Sequence, residues 1–192
     1  MTKKVWLTFD DGPNELKTPT VLDVLKKNNI TATFFMIGNV AAPNLSTAKK
    51  VALAGHFIGN HTNTHQTVKG LSKSEIRKEI VDADVILKGL STYKKWFRPP
   101  KGEYDANVSA VVGDLGFDIV KWNVETEDYL SKDHTKWVPM GIDGIKANGD
   151  KCVVINHDIY ESTADYVQEF IDKIKAIGDI TFGHPTDMPH FK

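Results

Sequence analysis

Two histidines stand four residues apart in the string HTNTH at residues 61–65. Imidazoles at this spacing share one face of a helical turn and can bind one metal ion together, although His61 and His65 could equally be surface or capping residues. Asp11 offers a carboxylate oxygen as a third ligand. Two histidines and one aspartate leave coordination positions open for water and substrate, which is typical of a catalytic metal site.

A second carboxylate, Asp10, precedes Asp11 in the string TFDDGP at residues 8–13. The Gly-Pro pair that follows predicts a sharp turn around both side chains. An Asp-rich turn without a function is the ordinary interpretation. The functional interpretation divides the work, so that one carboxylate binds a metal and the other acts as a general base on water.

Ionisable residues follow five predicted strands, each at the carboxyl end of its strand. In a parallel barrel the loops after the strands converge on one face, and that face carries the active site. The pattern therefore predicts one site that collects these groups. They are Asp10 and Asp11, His61 and His65, Arg98, Glu125 and Asp128, and His157.

Short runs of β-branched and aromatic residues alternate with helical stretches, which predicts a parallel sheet with right-handed crossovers. About seven strands fall within the chain, so we expect an α/β fold with a distorted (β/α) barrel; a full eightfold barrel typically needs ~250 residues. An open doubly wound sheet is the alternative. The predicted strands are 5–9, 33–37, 56–58, 96–97, 117–122, 152–155 and 180–182, and the predicted helices begin at 18, 47, 72, 106 and 166.

The composition is that of an ordinary globular protein, with 192 residues, 41% apolar and 26% charged residues, and a formal net charge of -1. We expect a single domain over 1–192, a monomer, and no nucleic-acid partner, since no large positive field is present. One cysteine excludes an internal disulfide. No apolar run reaches a membrane span, and the first residues do not read as a signal peptide. No serine-nucleophile elbow or phosphate-binding glycine loop is present.

Five ordered strings together resemble the motifs of the NodB-type polysaccharide deacetylases, carbohydrate esterase family four. They are TFDDGP, HTNTH, RPPKGEY, WNVETEDY and INHD, and they run from residue 8 to 158. The resemblance implies a distorted (β/α) barrel. It also implies a hydrolase that uses one divalent metal, with zinc favoured and cobalt or another ion as alternatives, to remove N-acetyl groups from N-acetylglucosamine units of chitin, chito-oligosaccharide or peptidoglycan.

The resemblance also implies roles by position. Asp10 is the expected catalytic base, oriented by Arg98, and His157 is the expected acid, supported by Glu125 with Asp128 as the alternative. The expected metal ligands are Asp11, His61 and His65, and the expected substrate contacts are Lys101, Tyr104 and Tyr129.

The chain departs from the family pattern at three of these positions. Lys101 stands where an aromatic residue is usual, Glu125 replaces aspartate, and Tyr129 replaces tryptophan. The backbone N–H of Lys101 remains available to bind an oxyanion. We also expect Trp137 and Tyr160 to stack on sugar and Trp122 to lie in the core.

Two rival functions use the same residues: an O-acetyl esterase acting on acetylxylan, and a non-catalytic glycan-binding protein. An acetylated amino-sugar polymer or oligomer is the expected partner. The expected location is outside the cell or in the cell wall, with a leader absent from this sequence; a cytoplasmic location is the alternative.

Overall fold

The computed structural model describes residues 2–191. Parallel strands form one curled sheet, a half-barrel with helices packed on its outer face, so the predicted fold is confirmed. The strands are β1 (Lys3–Asp10), β2 (Thr33–Met36), β3 (Phe57–Asn60), β4 (Tyr93–Phe97), β5 (Asp118–Ile119), β6 (Val124–Glu125), β7 (Lys151–His157) and β8 (Ile180–Phe182). The helices are α1 (Lys17–Lys27), α2 (Gly38–Ala41), α3 (Leu45–Leu53), α4 (Lys73–Leu87), α5 (Ala106–Asp114), α6 (His134–Ala147) and α7 (Glu161–Ala176).

Strand register brings the ends of the central strands to one level. The strand order is β5-β4-β3-β2-β1-β7-β6, and β8 pairs with the start of β1. Asp10, the last residue of β1, is paired with His157, the last residue of β7, and with Phe35 of β2. Met36 is paired in turn with Asn60, which ends β3. The residues that follow these strands therefore emerge at the same edge of the sheet.

The two faces of the sheet are both apolar, as expected for parallel strands covered on both sides. Alternate residues of β1, such as Val5, Leu7 and Phe9, pack against the helices in the main core cluster. The residues between them point the other way, and Trp6 lies in a cluster that fills the inside of the curl. That inner cluster consists of Trp6, Phe35, Trp96, Val120, Val153 and Met188.

Helix α4 begins with the predicted capping box. The hydroxyl of Ser72 accepts a hydrogen bond from the N–H of Glu75, and the Glu75 side chain accepts one from the N–H of Ser72. The predicted apolar stripe, including Ile76, Ile80 and Leu87, is fully buried. A strong cap and a continuous stripe explain why this helix could be predicted closely.

Helix α6 was not predicted, because its sequence contains residues that disfavour helices. Pro139 lies inside it, and Gly141 and Gly144 supply no side chain. Both glycines are required by packing: a Cβ on Gly141 would lie 2.7 Å from the Phe170 ring, and one on Gly144 would lie 2.9 Å from Val124. Close contact with α7 and β6 therefore overrides the weak local propensity.

The strand predicted over 117–122 is wrong in extent. Only Asp118–Ile119 forms β5, and a separate short strand, β6, follows at Val124–Glu125. Between them the chain leaves the sheet, and the N–H of Lys121 donates to the carbonyl of Phe191 in the C-terminal segment. Within residues 2–191, no helix has the length and apolar character that a membrane span requires.

Candidate active site

Asp10 ends β1 as a buried carboxylate with a fixed partner. The Nη1 atom of Arg98 lies 2.7 Å from Oδ1 of Asp10 and 2.7 Å from the hydroxyl oxygen of Thr8. The Nε atom of Arg98 donates to the carbonyl of Val120 at 3.1 Å. Both side chains of the ion pair are essentially inaccessible to solvent. Arg98 therefore fixes the orientation of Asp10, as expected.

Asp11, one residue on, faces the two histidines. Its Oδ1 atom lies 3.3 Å from Nε2 of His61 and 3.2 Å from Nε2 of His65. The ligand atoms of the three side chains all lie within 4.8 Å of one another. The Nδ1 atom of His61 lies 2.7 Å from the carbonyl oxygen of Arg98, an acceptor. Nδ1 must therefore carry the proton, which leaves the lone pair on Nε2 facing Asp11.

These three residues fit a divalent metal ion. The Oδ1 atom of Asp11 is buried and makes no hydrogen bond within residues 2–191, which is costly for a carboxylate unless a cation occupies the position. Two ligands of a tetrahedral zinc ion lie about 3.4 Å apart, which follows from bond lengths of about 2.0–2.1 Å. The distances from Asp11 to His61 and His65 match this spacing.

Ionisation also suits two of the three ligands. Burial raises the pKa of Asp11, but the neighbouring imidazole of His61, with those of His157 and His65, outweighs it and lowers that pKa to about 2. Burial is the main reason that the pKa of His65 is lowered. At neutral pH Asp11 is thus an anion and His65 a neutral imidazole, the forms that bind a metal.

The loop that carries the histidines is not a helical turn, and that expectation is wrong. Residues 61–65 form an irregular loop in which Thr62 and His65 have φ angles of 67° and 63°. Asp11 is also in the left-handed region, with φ of 72°. Non-glycine residues rarely adopt this conformation, and they cluster at functional sites. The ligands converge because the backbone is held in these conformations.

His157 ends β7 on the other side of the cleft, and its partner is Asp128. The Nδ1 atom of His157 lies 2.7 Å from Oδ1 of Asp128, and the N–H of His157 donates to Oδ2 at 2.7 Å. The hydroxyl of Thr163 also donates to Oδ2 of Asp128, at 2.7 Å. Asp128 is therefore fully engaged and holds the imidazole with Nε2 toward the cleft.

The expectation that Glu125 supports His157 is wrong. Glu125 is exposed at the rim, and its Oε1 atom lies 3.5 Å from the hydroxyl of Tyr129. Strand β6 ends at Glu125, and the chain needs three further residues to bring a carboxylate under His157. Asp128, the alternative that the sequence left open, makes the contact with His157 instead.

The acid form of His157 is stabilised. Burial lowers the pKa of its imidazole, but the hydrogen bond and charge of Asp128, with smaller contributions from Asp10 and Asp11, raise it to about 9. His157 is therefore protonated at neutral pH and can donate a proton from Nε2. A cation bound at Asp11 would cancel the contribution of that carboxylate and leave the one from Asp128.

A cleft of about 450 Å³ joins Asp10, the three candidate metal ligands and His157. Lys101 and Tyr129 line it, as expected of substrate contacts, and so does Glu125. Lys101 is exposed and has a φ angle of 58°. The remaining lining residues are Asp10, Asp11, His61, His65, Trp122, Ile155, His157 and Tyr160.

The predictions that Tyr104 contacts substrate and that Trp137 stacks on a sugar are wrong, and the core prediction for Trp122 holds in part, because Trp122 packs against the inner cluster. Tyr104 is not part of the cleft wall but packs against the cluster between α4 and α5, with Lys121 over its ring. Trp137 is 1% exposed and donates to Ser162, so it cannot stack on a sugar. Trp122, assigned to the core, lines the cleft, because β5 ends at Ile119 and leaves Trp122 in the loop on the site face.

The family profile described as polysaccharide deacetylase matches residues 1–120. A peptidoglycan-N-acetylglucosamine deacetylase of Bacillus cereus is 41% identical over 127 residues, covering 66% of this chain and 46% of the relative. A chitin deacetylase of Colletotrichum lindemuthianum is 30% identical over 189 residues, covering 91% of this chain and 75% of the relative. The chain thus spans about half of the Bacillus cereus protein.

Solved structures give the same assignment. BA3943 of Bacillus anthracis, described as a CE4 family pseudoenzyme, has a TM-score of 0.87 and 27% identity, covering 97% of this chain and 65% of that one. A mutant of it with restored enzymatic activity has the same TM-score and 29% identity. From its profile match, its relatives and its fold, this chain belongs to the polysaccharide deacetylase family.

Proposed function

We propose that this chain is a metal-dependent hydrolase that removes N-acetyl groups from N-acetylglucosamine units of chitin, chito-oligosaccharide or peptidoglycan. One observation carries the proposal: Asp10, the ligand set of Asp11, His61 and His65, and His157 all line one cleft. Amide hydrolysis needs a base for the attacking water and an acid for the leaving nitrogen. We assign these roles to Asp10 and His157, which line the same cleft as the three proposed metal ligands.

In this proposal Asp11, His61 and His65 hold one divalent cation, which supplies Lewis-acid polarisation and lowers the pKa of water. Asp10 takes the proton of the attacking water, and Arg98 keeps that carboxylate oriented. The proposed donor for the developing oxyanion is the N–H of Lys101, a residue that lines the same cleft.

Expulsion of the amine needs a proton, because an amide nitrogen anion is a very poor leaving group. His157 delivers that proton from Nε2, and Asp128 stabilises its protonated form. The products are acetate and a free amino sugar. Trp122, Tyr129 and Tyr160 provide flat surfaces in the cleft on which a sugar ring can stack.

The test is acetate release from chito-oligosaccharides, peptidoglycan and acetylxylan, measured side by side on the metal-free protein and after addition of zinc or cobalt. Release from the first two substrates that depends on the metal supports the proposal. Release from acetylxylan alone would identify an O-acetyl esterase. Binding of the glycans without any release would identify a glycan-binding protein that lacks catalysis.

Peptidoglycan lies outside the cytoplasmic membrane, so we propose a secreted or wall-associated location. Fractionation of the native host would test it, and activity confined to the cytoplasm would contradict it.

A further inference from the structure

Glu79 is a buried carboxylate on α4, and its partners lie in the histidine loop or directly after it, where Gln66 Nε2 donates to Oε1 at 3.4 Å. It is 6% exposed, and no cationic side chain among residues 2–191 lies within ion-pair distance of it. Its Oε2 atom accepts from the N–H of Asn63 at 3.0 Å and of Thr64 at 2.9 Å. Its Oε1 atom accepts from the Thr64 hydroxyl at 2.9 Å.

Glu79 provides two of the five hydrogen-bond acceptors of the loop's backbone amides. Each N–H from 61 to 65 has one acceptor, and two of these acceptor positions belong to Glu79. Since the loop is neither helix nor strand, it has no regular partners that could replace them. The acceptors, in order, are the carbonyl of Met36, Asn60 Oδ1, Glu79 Oε2, Glu79 Oε2 and Thr62 Oγ1.

The first two residues of α2 also hold the loop. The N–H groups of Gly38 and Asn39 donate to the carbonyls of Thr62 and Asn63. The loop is therefore held by α2, which donates two hydrogen bonds to its carbonyls, and by Glu79, which accepts three hydrogen bonds from it. Loss of Glu79 would leave two partly buried amides and the Thr64 hydroxyl without their acceptor, next to backbone that is already in the left-handed region.

The two histidines depend on this clamp to different degrees. The ring of His61 is also fixed by the Arg98 carbonyl at 2.7 Å. The ring of His65 is half exposed, and its polar contact within residues 2–191 is with Asp11. The position of His65 therefore depends mainly on the loop backbone. Glu79 binds the amides of the two residues directly before His65.

We propose that Glu79 is a positioning residue: it holds the 61–65 loop in the metal-binding conformation and so sets the affinity for the cation, chiefly through His65. This inference rests on the metal site proposed above. Partners of metal ligands commonly account for about 10–100-fold in metal affinity. Glu79 acts one step further out, on the backbone that carries the ligand.

The experiment measures the Zn²⁺ dissociation constant of the metal-free protein and its variants by calorimetric titration, at a temperature where each is folded. We expect Glu79→Ala to weaken binding by about 10-fold or more. Glu79→Gln should fall between this variant and the parent, because its amide oxygen can still accept both backbone hydrogen bonds. The Co²⁺ absorption spectrum of Glu79→Ala should also change, since a displaced His65 alters the coordination geometry.

Leu87→Ala is the matched control. Leu87 is fully buried on the same helix, two turns from Glu79, and it packs in the main core cluster rather than on the loop. It should destabilise the fold while leaving the Zn²⁺ dissociation constant within about threefold of the parent value, a difference well below the one expected for Glu79→Ala.

Three results would overturn the inference. One is parent-like Zn²⁺ binding by Glu79→Ala, and another is an equal loss in Leu87→Ala. The third is a parent protein that binds no Zn²⁺, which removes the metal site itself and is thus distinguishable from the first two. If Glu79→Ala does not fold, Thr64→Val takes its place: it deletes one of the three hydrogen bonds, so it should weaken Zn²⁺ binding severalfold, and parent-like affinity would again be contrary.

Discussion

The imidazole of His157 shares a 2.7 Å contact with the carboxylate of Asp128, while Glu125, three residues earlier, stays at the rim of the cleft. This pairing distinguishes two carboxylates of one short segment, Glu125 at the end of β6 and Asp128 three residues after it. It also determines which of them controls the pH range of the proposed acid.

Substitution of Asp128 by asparagine should move the alkaline limb of the activity profile to lower pH. Asp128 raises the pKa of His157 to about 9, so the acid is protonated below that pH. Without that charge, burial dominates and the pKa falls, by about 1–3 units for loss of a close opposite charge. The measurement is kcat against pH for Asp128→Asn beside Glu125→Gln, which should match the parent. A shift in Glu125→Gln alone would contradict this assignment.

Asp10→Asn should keep the metal and lose about 10²–10⁴-fold in kcat, the usual contribution of a general base. Asp10 is held by Arg98, whereas Asp11 faces both histidines. Metal content per protein and kcat are measured on the same sample, well below its unfolding temperature, because Arg98 loses its buried charge partner. A variant that binds no metal would show that the two aspartates have the reverse roles.

Removal of one ligand should remove both metal and activity. His61→Ala deletes a ligand whose ring is buried and whose tautomer is fixed by the Arg98 carbonyl. Elemental analysis should find little zinc in this variant, and added zinc should restore little activity. The control is His134→Ala on α6, outside the cleft, which should retain both. Full activity of the parent after exhaustive chelation would contradict the metal site.

Asp158 should make the fold less stable as pH rises. It is fully buried, its Oδ2 accepts from the Thr18 hydroxyl, and its Oδ1 has no partner within residues 2–191. Burial raises its pKa to about 7. The folded state then binds the proton more tightly than the unfolded state, whose aspartate has a pKa near 3.9, so the free energy of unfolding falls between about pH 4 and pH 7.

The corresponding variant is Asp158→Asn, which cannot ionise. Its free energy of unfolding, measured with urea across pH 4 to 8, should lack this decline, which amounts to at most about 4 kcal/mol in the parent. Parallel curves for parent and variant would show that Asp158 titrates normally.

Gly141→Ala should destabilise the protein although alanine favours helices. Its Cβ would lie 2.7 Å from the Phe170 ring and 2.9 Å from Thr126. Overpacking of this kind costs about 1–3 kcal/mol. Gly113→Ala in α5 is the matched control: nothing lies within 4 Å of its Cβ, so it should gain about 0.5–1 kcal/mol. Thermal unfolding of both variants tests the pair, and equal stabilisation would contradict the packing argument.

The sequence was most informative where chemistry follows a strand. The positions after β1, β3, β4 and β7 could be predicted to converge, because parallel strands end at one edge, and the structure brings Asp10, His61, Arg98 and His157 together there. The sequence was least informative where the path of a loop decides which way a side chain points. The difference between Glu125 and Asp128, and the place of Trp122 in the cleft, depend on where a strand stops, and residue type does not encode that.

Long-range contacts explain the remaining misses. Helix α6 forms because Gly141 and Gly144 fit against α7 and β6, and no local pattern reveals such a fit. Glu79 reads in the sequence as an ordinary helix-surface charge, yet it is buried against a loop that precedes its helix. Both features require the sheet to exist first.

Arg98 has a consequence for how activity can be lost in evolution. Its guanidinium joins Thr8 and Asp10 of β1 to the carbonyl of Val120, and its own carbonyl holds His61, so one residue ties opposite walls of the half-barrel together. His65 lies at the rim, and its polar contact within residues 2–191 is with Asp11 rather than with both walls. A descendant that abandons catalysis can therefore discard His65 and still fold, whereas Arg98 should persist in it. We therefore expect arginine at this position in both active and inactive descendants, and the complete histidine pair only in active ones.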